Sequence, residues 1–255
     1  TDFSSQIKYS LNVGGNIFSD TDAMVYQIDQ AIENGINFYD GYFLQDINET
    51  TFKSIFTANI DMPMAKEKTN VLNKVGEILV AEYKGDWLNF IKSGPKNLYQ
   101  NGEGLIERLV YQFERFRDTS IYLGQEVHFL KLAQLAFWGI HRELSKHKDF
   151  YIEDMENMTA FADYIVPVAL EKMNIVTYSD KLKNKIEQGV LIESGSIEEI
   201  EIRSATLFVT AQLTEEINKL RGVDEKIIIP QLDFKLWTDF HAEKSFHHLT
   251  KTIMY

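Results

Sequence analysis

Apolar residues recur at helical spacing along most of the chain. The clearest stripe is Val71, Leu72, Val75, Ile78, Leu79 and Tyr83, which share one face of a helix. Pro63 suits the first turn of that helix and Gly85 its stop. A second stripe, Leu130, Ala133, Phe137, Trp138, His141 and Leu144, predicts a helix over 125–146. Met24, Ile28, Ala31 and Ile32 give a helix over about 21–34, closed by Gly35. Asn48 can cap a helix carrying Phe52, Ile55 and Phe56. Further helices are expected at about 102–115, 165–173, 179–188, 198–221 and 229–243. Residues 6–19 differ: Ile7 to Leu11 alternates, Asn12 to Gly15 can turn, and Asn16-Ile17-Phe18 can return. That pattern predicts a short β-hairpin. The fold class is therefore mainly α, at about 60% helix, with a minor N-terminal β element.

Composition narrows the picture. Pro occurs four times, and no Ser/Gly/Pro-rich linker or internal repeat divides the 255 residues. We expect one compact domain over 1–255, a hairpin segment at 1–20 followed by a helical body at 21–255. With no Cys there is no disulfide framework, no Cys-based zinc site and no thiol nucleophile. Asp plus Glu number 38 against 26 Lys plus Arg, a formal net charge of -12. Polynucleotide backbones reward clustered Lys and Arg, so direct polynucleotide binding is not expected. No apolar run approaches the roughly 20 residues of a membrane helix. Thr1-Asp2-Phe3-Ser4 shows no basic or apolar leader, and a cytoplasmic protein without a membrane partner is expected.

Common catalytic motifs are missing: no phosphate loop, no dinucleotide fingerprint, no nucleophile elbow and no H-E-x-x-H. The six His form no ligand set, since the adjacent His247 and His248 diverge, so no metal and no cofactor is expected. Met158 to Pro167 is the most informative stretch. Pro167 belongs in the first turn of a helix, which then starts near Asp163. Capping alone accounts for such an Asp. Its alternative is a fixed carboxylate between Phe161 and Tyr164, able to stabilise a developing positive charge.

Lys131 sits among Phe129, Leu130, Leu132, Ala133 and Leu135. Either its stem crosses apolar surface to water, or its ammonium points into a cavity to hold an anion. Glu199 and Arg203, spaced i, i+4, read as a helical surface ion pair, with Glu201 between them. Asp233 and Trp237 share a helix face at the same spacing. Trp237 is either core or a stacking surface for a base.

These residues, in this order, resemble the queuosine salvage proteins, the queuosine 5′-phosphate N-glycosylase/hydrolase family. The similarity runs from about Thr21 to Tyr255. Its most specific marker is Phe161-Ala162-Asp163-Tyr164 with Pro167. Met62-Pro63 with Glu67 and Leu72, Arg117-Asp118, Lys131 with Ala133 and Gln134, and Tyr178-Ser179-Asp180 support it. Glu199, Glu201-Ile202-Arg203, Asp233 with Leu236-Trp237, and Tyr255 continue the series.

The resemblance implies a largely helical fold similar to helix-hairpin-helix DNA glycosylases. It implies hydrolysis of the N-glycosidic bond of queuosine 5′-monophosphate, releasing queuine, a 7-deazaguanine base, for reinsertion into tRNA. It makes Asp163 the catalytic carboxylate and places Lys131 in the active site. Phe161, Tyr164 and Trp237 are then candidates to stack on the base. Asp233 or Glu201 can accept from its amino and imino groups, and Arg203 can support one of those carboxylates. Two departures bear on the substrate. The family's longer N-terminal extension, with an Asn-Phe-x-Phe-Trp-like segment, is echoed only faintly by Leu11-Asn12 and Ile17-Phe18, and Ile165 stands where the family often has Arg. A shortened pocket can take the nucleoside, a precursor base or another deazapurine nucleotide. A non-catalytic deazapurine carrier and a nucleic-acid glycosylase are the competing classes, the second opposed by the acidic balance.

Overall fold

The structure, a computed structural model, describes residues 8–241 and 245–255. It is mainly helical, at 55%, with two small antiparallel strand pairs. Its chain packs as two compact units, Thr1–Ser93 and Gly94–Tyr255.

In the first unit, strands β1 (Ser10–Val13) and β2 (Asn16–Ser19) pair antiparallel, Ser10 opposite Ser19. Gly14 and Gly15 make the connection at φ 58° and 93°. A two-residue turn with both φ positive matches the twist of its strands, and glycine enters that region without steric cost. The hairpin expected from the alternation is thus present; its anticipated start at Gln6 and Ile7 lies outside the described residues. Helix α1 (Asp20–Glu33) ends as expected before Gly35, at φ 87°. Helix α2 (Gly41–Asp46) is followed by α3 (Glu49–Ile55), where Asn48 accepts from the Thr51 N–H at 2.9 Å. Helix α4 (Ala65–Tyr83) carries the long apolar stripe and stops at Gly85. Pro63 precedes its cap, Met64, and so lies outside the first turn it was expected to occupy. Helix α5 (Trp87–Lys92), too short to show a period, was not anticipated. Tyr9, Ala23, Ile47, Phe52, Phe56, Met62 and Ala65 form this unit's apolar core.

Helices α2 and α4 meet at Gly76. A Cβ there would lie 2.2 Å from the Gln45 backbone nitrogen and 2.7 Å from the Gly41 carbonyl oxygen. Both are main-chain atoms, so no rotamer change relieves the clash. We expect Gly76→Ala to cost at least about 1–3 kcal/mol, as overpacking does. Urea denaturation reads the loss as a lowered midpoint, and an unchanged midpoint would show that α2 can shift.

The second unit contains α6 (Leu105–Gln112), the hairpin β3 (Thr119–Tyr122) and β4 (Gln125–His128), then α7 (Lys131–Leu144). Helices α8 (Ile165–Lys172), α9 (Asp180–Glu187), α10 (Ile197–Lys219) and α11 (Ile229–Phe240) follow. The expected helix over 125–146 is corrected here. Its first residues pair with β3, Thr119 opposite His128, through a turn at Leu123 and Gly124 with φ 49° and 83°. Leu130, at φ 49°, then redirects the chain, so that α7 begins at Lys131. The helix expected over 102–115 is trimmed to α6. That expected over 229–243 is described to Phe240, with Pro230 in its first turn.

Val166, Ala169 and Leu170 of α8 pack with Leu236 of α11 and with Val209 and Leu213 of α10. On α10 the buried Thr206, Thr210 and Thr214 each donate their hydroxyl to the carbonyl four residues earlier. The polar stripe is thereby satisfied internally and can face the core. After α11 the chain returns at Leu249, whose carbonyl accepts from the Ile192 N–H, and this carries Tyr255 back to α10.

Candidate active site

The segment from Thr159 to Asp163 runs between three helices, and a side chain from each holds its backbone. Gln134 of α7, 1% exposed, accepts from the Thr159 N–H at 2.7 Å and donates to the Thr159 hydroxyl at 2.9 Å. Asp233 of α11 accepts from the Phe161 N–H on Oδ2 at 2.9 Å. Arg203 of α10 donates from Nε to the Ala162 carbonyl at 3.0 Å. Asp163 follows directly. Its Oδ1 accepts from the N–H groups of Ile165 (2.8 Å) and Val166 (3.2 Å), the first residues of α8. Placement at a helix N-terminus, expected from Pro167, is therefore found. These donors and the helix dipole are aimed at a negative oxygen.

Arg203 is 2% exposed. It grips Asp118 with two nitrogens, at 3.0 and 2.5 Å, and reaches Glu199 at 3.3 Å. Its guanidinium lies between the Phe129 and Tyr255 rings, 3.9 and 4.3 Å from their centroids. The i, i+4 pair with Glu199 exists, but both side chains are buried, which corrects the expectation of a surface pair. Asp118 in turn accepts from the Lys131 N–H at 3.3 Å, and its carbonyl accepts from Phe129 and Leu130. One guanidinium thus connects the segment that delivers Asp163 with the turn that delivers Lys131. Its Nε, Nη1 and Nη2 donors all have protein acceptors. Sequence reasoning gave Asp118 and Gln134 no part in the site. Both stood among the markers of the family resemblance, which carries no information about burial.

Asp233 is 2% exposed and Asp163 5%. Burial, then the nearby Asp163 charge, pushes the Asp233 carboxyl up to about 8, against weaker pulls from the Phe161 N–H and Lys131. The structure therefore brings Lys131, Phe161, Asp163 and Asp233 together. The Phe161 ring is buried against Trp138, with centroids 6.4 Å apart. Tyr164, half-buried, packs its ring on His247 at 4.5 Å. Trp237 stacks on His241 at 4.4 Å and is 37% exposed. Glu201 is not among this group: it lies on the exposed face of α10 and accepts from the Tyr122 hydroxyl at 2.7 Å.

A cavity of about 750 Å³ opens beside the same backbone, lined by Tyr99, Ile106, Phe129, Leu130, Gln134 and Thr159 among others. Lys131, Asp163 and Asp233 are not part of its wall. Among the described residues no group of three or more His, Asp or Glu is arranged to hold a metal ion, and no helix is long and apolar enough to cross a membrane.

Two buried carboxylates therefore lie near a lysine and aromatic rings. The chain belongs to the queuosine salvage protein family, whose profile matches residues 3–255. It is similar to the queuosine 5′-phosphate N-glycosylase/hydrolase of Sphaerobacter thermophilus, 26% identical over 256 residues, covering 99% of this chain and 77% of that protein. The Mus musculus protein of the same name is 26% identical over 90% of this chain and 69% of its own. That of Dictyostelium discoideum is 32% identical over 76% and 60%.

Proposed function

We propose that this chain hydrolyses the N-glycosidic bond of queuosine 5′-monophosphate and releases queuine, with the backbone arranged as in helix-hairpin-helix DNA glycosylases. The observation that carries the reading is Asp163, a buried carboxylate fixed by two helix N–H groups beside Lys131 and Asp233, in a chain of the queuosine salvage family. Loss of a base from ribose passes through a state with positive charge on C1′ and the ring oxygen, as glycoside hydrolysis does. A carboxylate held in place before the charge develops stabilises that state without reorganising. Asp163 fits this role. Lys131 supplies the positive charge that a 5′-phosphate or a ribose hydroxyl needs. Phe161, Tyr164 and Trp237 supply ring faces for the base, worth on the order of 1–3 kcal/mol for each stacked base. A single phosphate needs only such a local cation, so the net charge of -12 is compatible with a nucleotide substrate.

Incubation with queuosine 5′-monophosphate and chromatography of the products tests the reading. Free queuine and ribose 5-phosphate are expected in equal amounts. No base release by the folded protein would overturn it.

A further inference from the structure

We propose that Asp233 is the acid of this reaction, donating the proton that the 7-deazaguanine base takes as its bond to ribose breaks. The inference rests on the function proposed above and adds a residue to it. Ordinary purines can be protonated at N7 before they leave. A 7-deazapurine has carbon at that position and no lone pair there, so the departing electron pair has to be met by a proton elsewhere on the ring system.

Among the described residues, Asp163 and Lys131 are the charged side chains that act on Asp233. The environments of the two carboxyls differ. Asp163 has two backbone donors on Oδ1 and sits at the N-terminus of α8, an arrangement built for a negative charge. Asp233 accepts one N–H, on Oδ2, while Oδ1 has no hydrogen bond among the described residues. It is also the more buried of the two. Arg203 of α10 is turned to Asp118 and Glu199. Lys131 from α7 and the Phe161 N–H pull only weakly against burial and the Asp163 charge, so the Asp233 carboxyl, near 8, keeps its proton at neutral pH. A carboxyl that keeps its proton in this way is suited to act as an acid.

The step balances. The C1′–N9 bond breaks and its electrons pass to the base. The Asp233 proton goes to the base, leaving both carboxylates charged. Water adds its oxygen to C1′ and gives a proton to the pair, which restores the starting state.

The test compares two substrates, queuosine 5′-monophosphate and 4-nitrophenyl ribofuranoside 5′-phosphate, whose nitrophenolate leaves without a proton. Asp233→Asn should lose about 10²–10⁴-fold in kcat on the first and stay within about tenfold of wild type on the second. Wild-type kcat/KM for the nucleotide should fall as pH rises through about 8, where Asp233 loses its proton, and that limb should be absent for the nitrophenyl substrate. The wild-type profiles need no variant and so do not depend on its folding. Equal loss on both substrates by a folded Asp233→Asn, or the same alkaline limb on both, overturns the acid role and leaves the hydrolase standing. Failure of wild type to release base from the nucleotide overturns the hydrolase reading itself.

Discussion

Asp163→Asn should fold normally and lose about 10²–10³-fold in kcat for queuosine 5′-monophosphate, the usual cost of removing one preorganised electrostatic group. Asparagine retains a carbonyl oxygen where Oδ1 now accepts from Ile165 and Val166, so the start of α8 keeps its cap. Unfolding stability should therefore change by less than about 1 kcal/mol. What disappears is the negative charge. That loss has a second readout, because the Asp163 charge helps to hold the Asp233 proton. Without it, the alkaline fall in residual kcat/KM should move to lower pH. Steady-state kinetics across pH, with urea denaturation as the control, checks both. Turnover within about threefold of wild type would leave capping as the whole role of Asp163, since even a modest electrostatic contribution exceeds that ratio.

Arg203→Met should have the largest effect on stability of any substitution near the site, about 3–5 kcal/mol. Methionine approximates the length of the aliphatic stem but leaves Asp118 and Glu199 buried without their cation. Activity should fall as well, though Arg203 need touch no substrate. The Ala162 carbonyl loses its donor and Asp118 loses the partner that orients it toward Lys131. Arg203→Lys tells charge from geometry. A lysine can keep one ion pair but cannot grip Asp118 with two nitrogens while donating to Ala162, so it should recover part of the stability and less of the activity. Denaturation midpoints and kcat/KM for the three proteins decide. Full activity in a folded Arg203→Met would remove Arg203 from the positioning of the site.

The local signals were mostly readable. Asn48 caps α3 and Gly85 ends α4, each through chemistry confined to a few neighbouring residues. Asp163 was legible for the same reason: Pro167 limits where a helix can start, and the preceding Asp is then within reach of its free N–H groups. The stretch 125–130 was not. Its residues fit a continued helical stripe, and only pairing of Gln125–His128 with Thr119–Tyr122 makes it a strand. Glu199 and Arg203 show the other kind of failure. Their spacing gave the ion pair, while its burial depends on Asp118, Phe129 and Tyr255, up to 85 positions away along the chain.

By itself, the sequence determined the helical class, the N-terminal hairpin, the family and the carboxylate at the head of α8, because periodicity, turns and caps are set by neighbours along the chain. The tertiary structure decided which charges share a space. Phe161 and Asp233 stand 72 residues apart and meet through one hydrogen bond, which brings a second carboxylate to Asp163. Whether an acidic side chain is a solvated charge or holds a proton depends on lost water and on facing charges, and both are supplied by distant segments packing together.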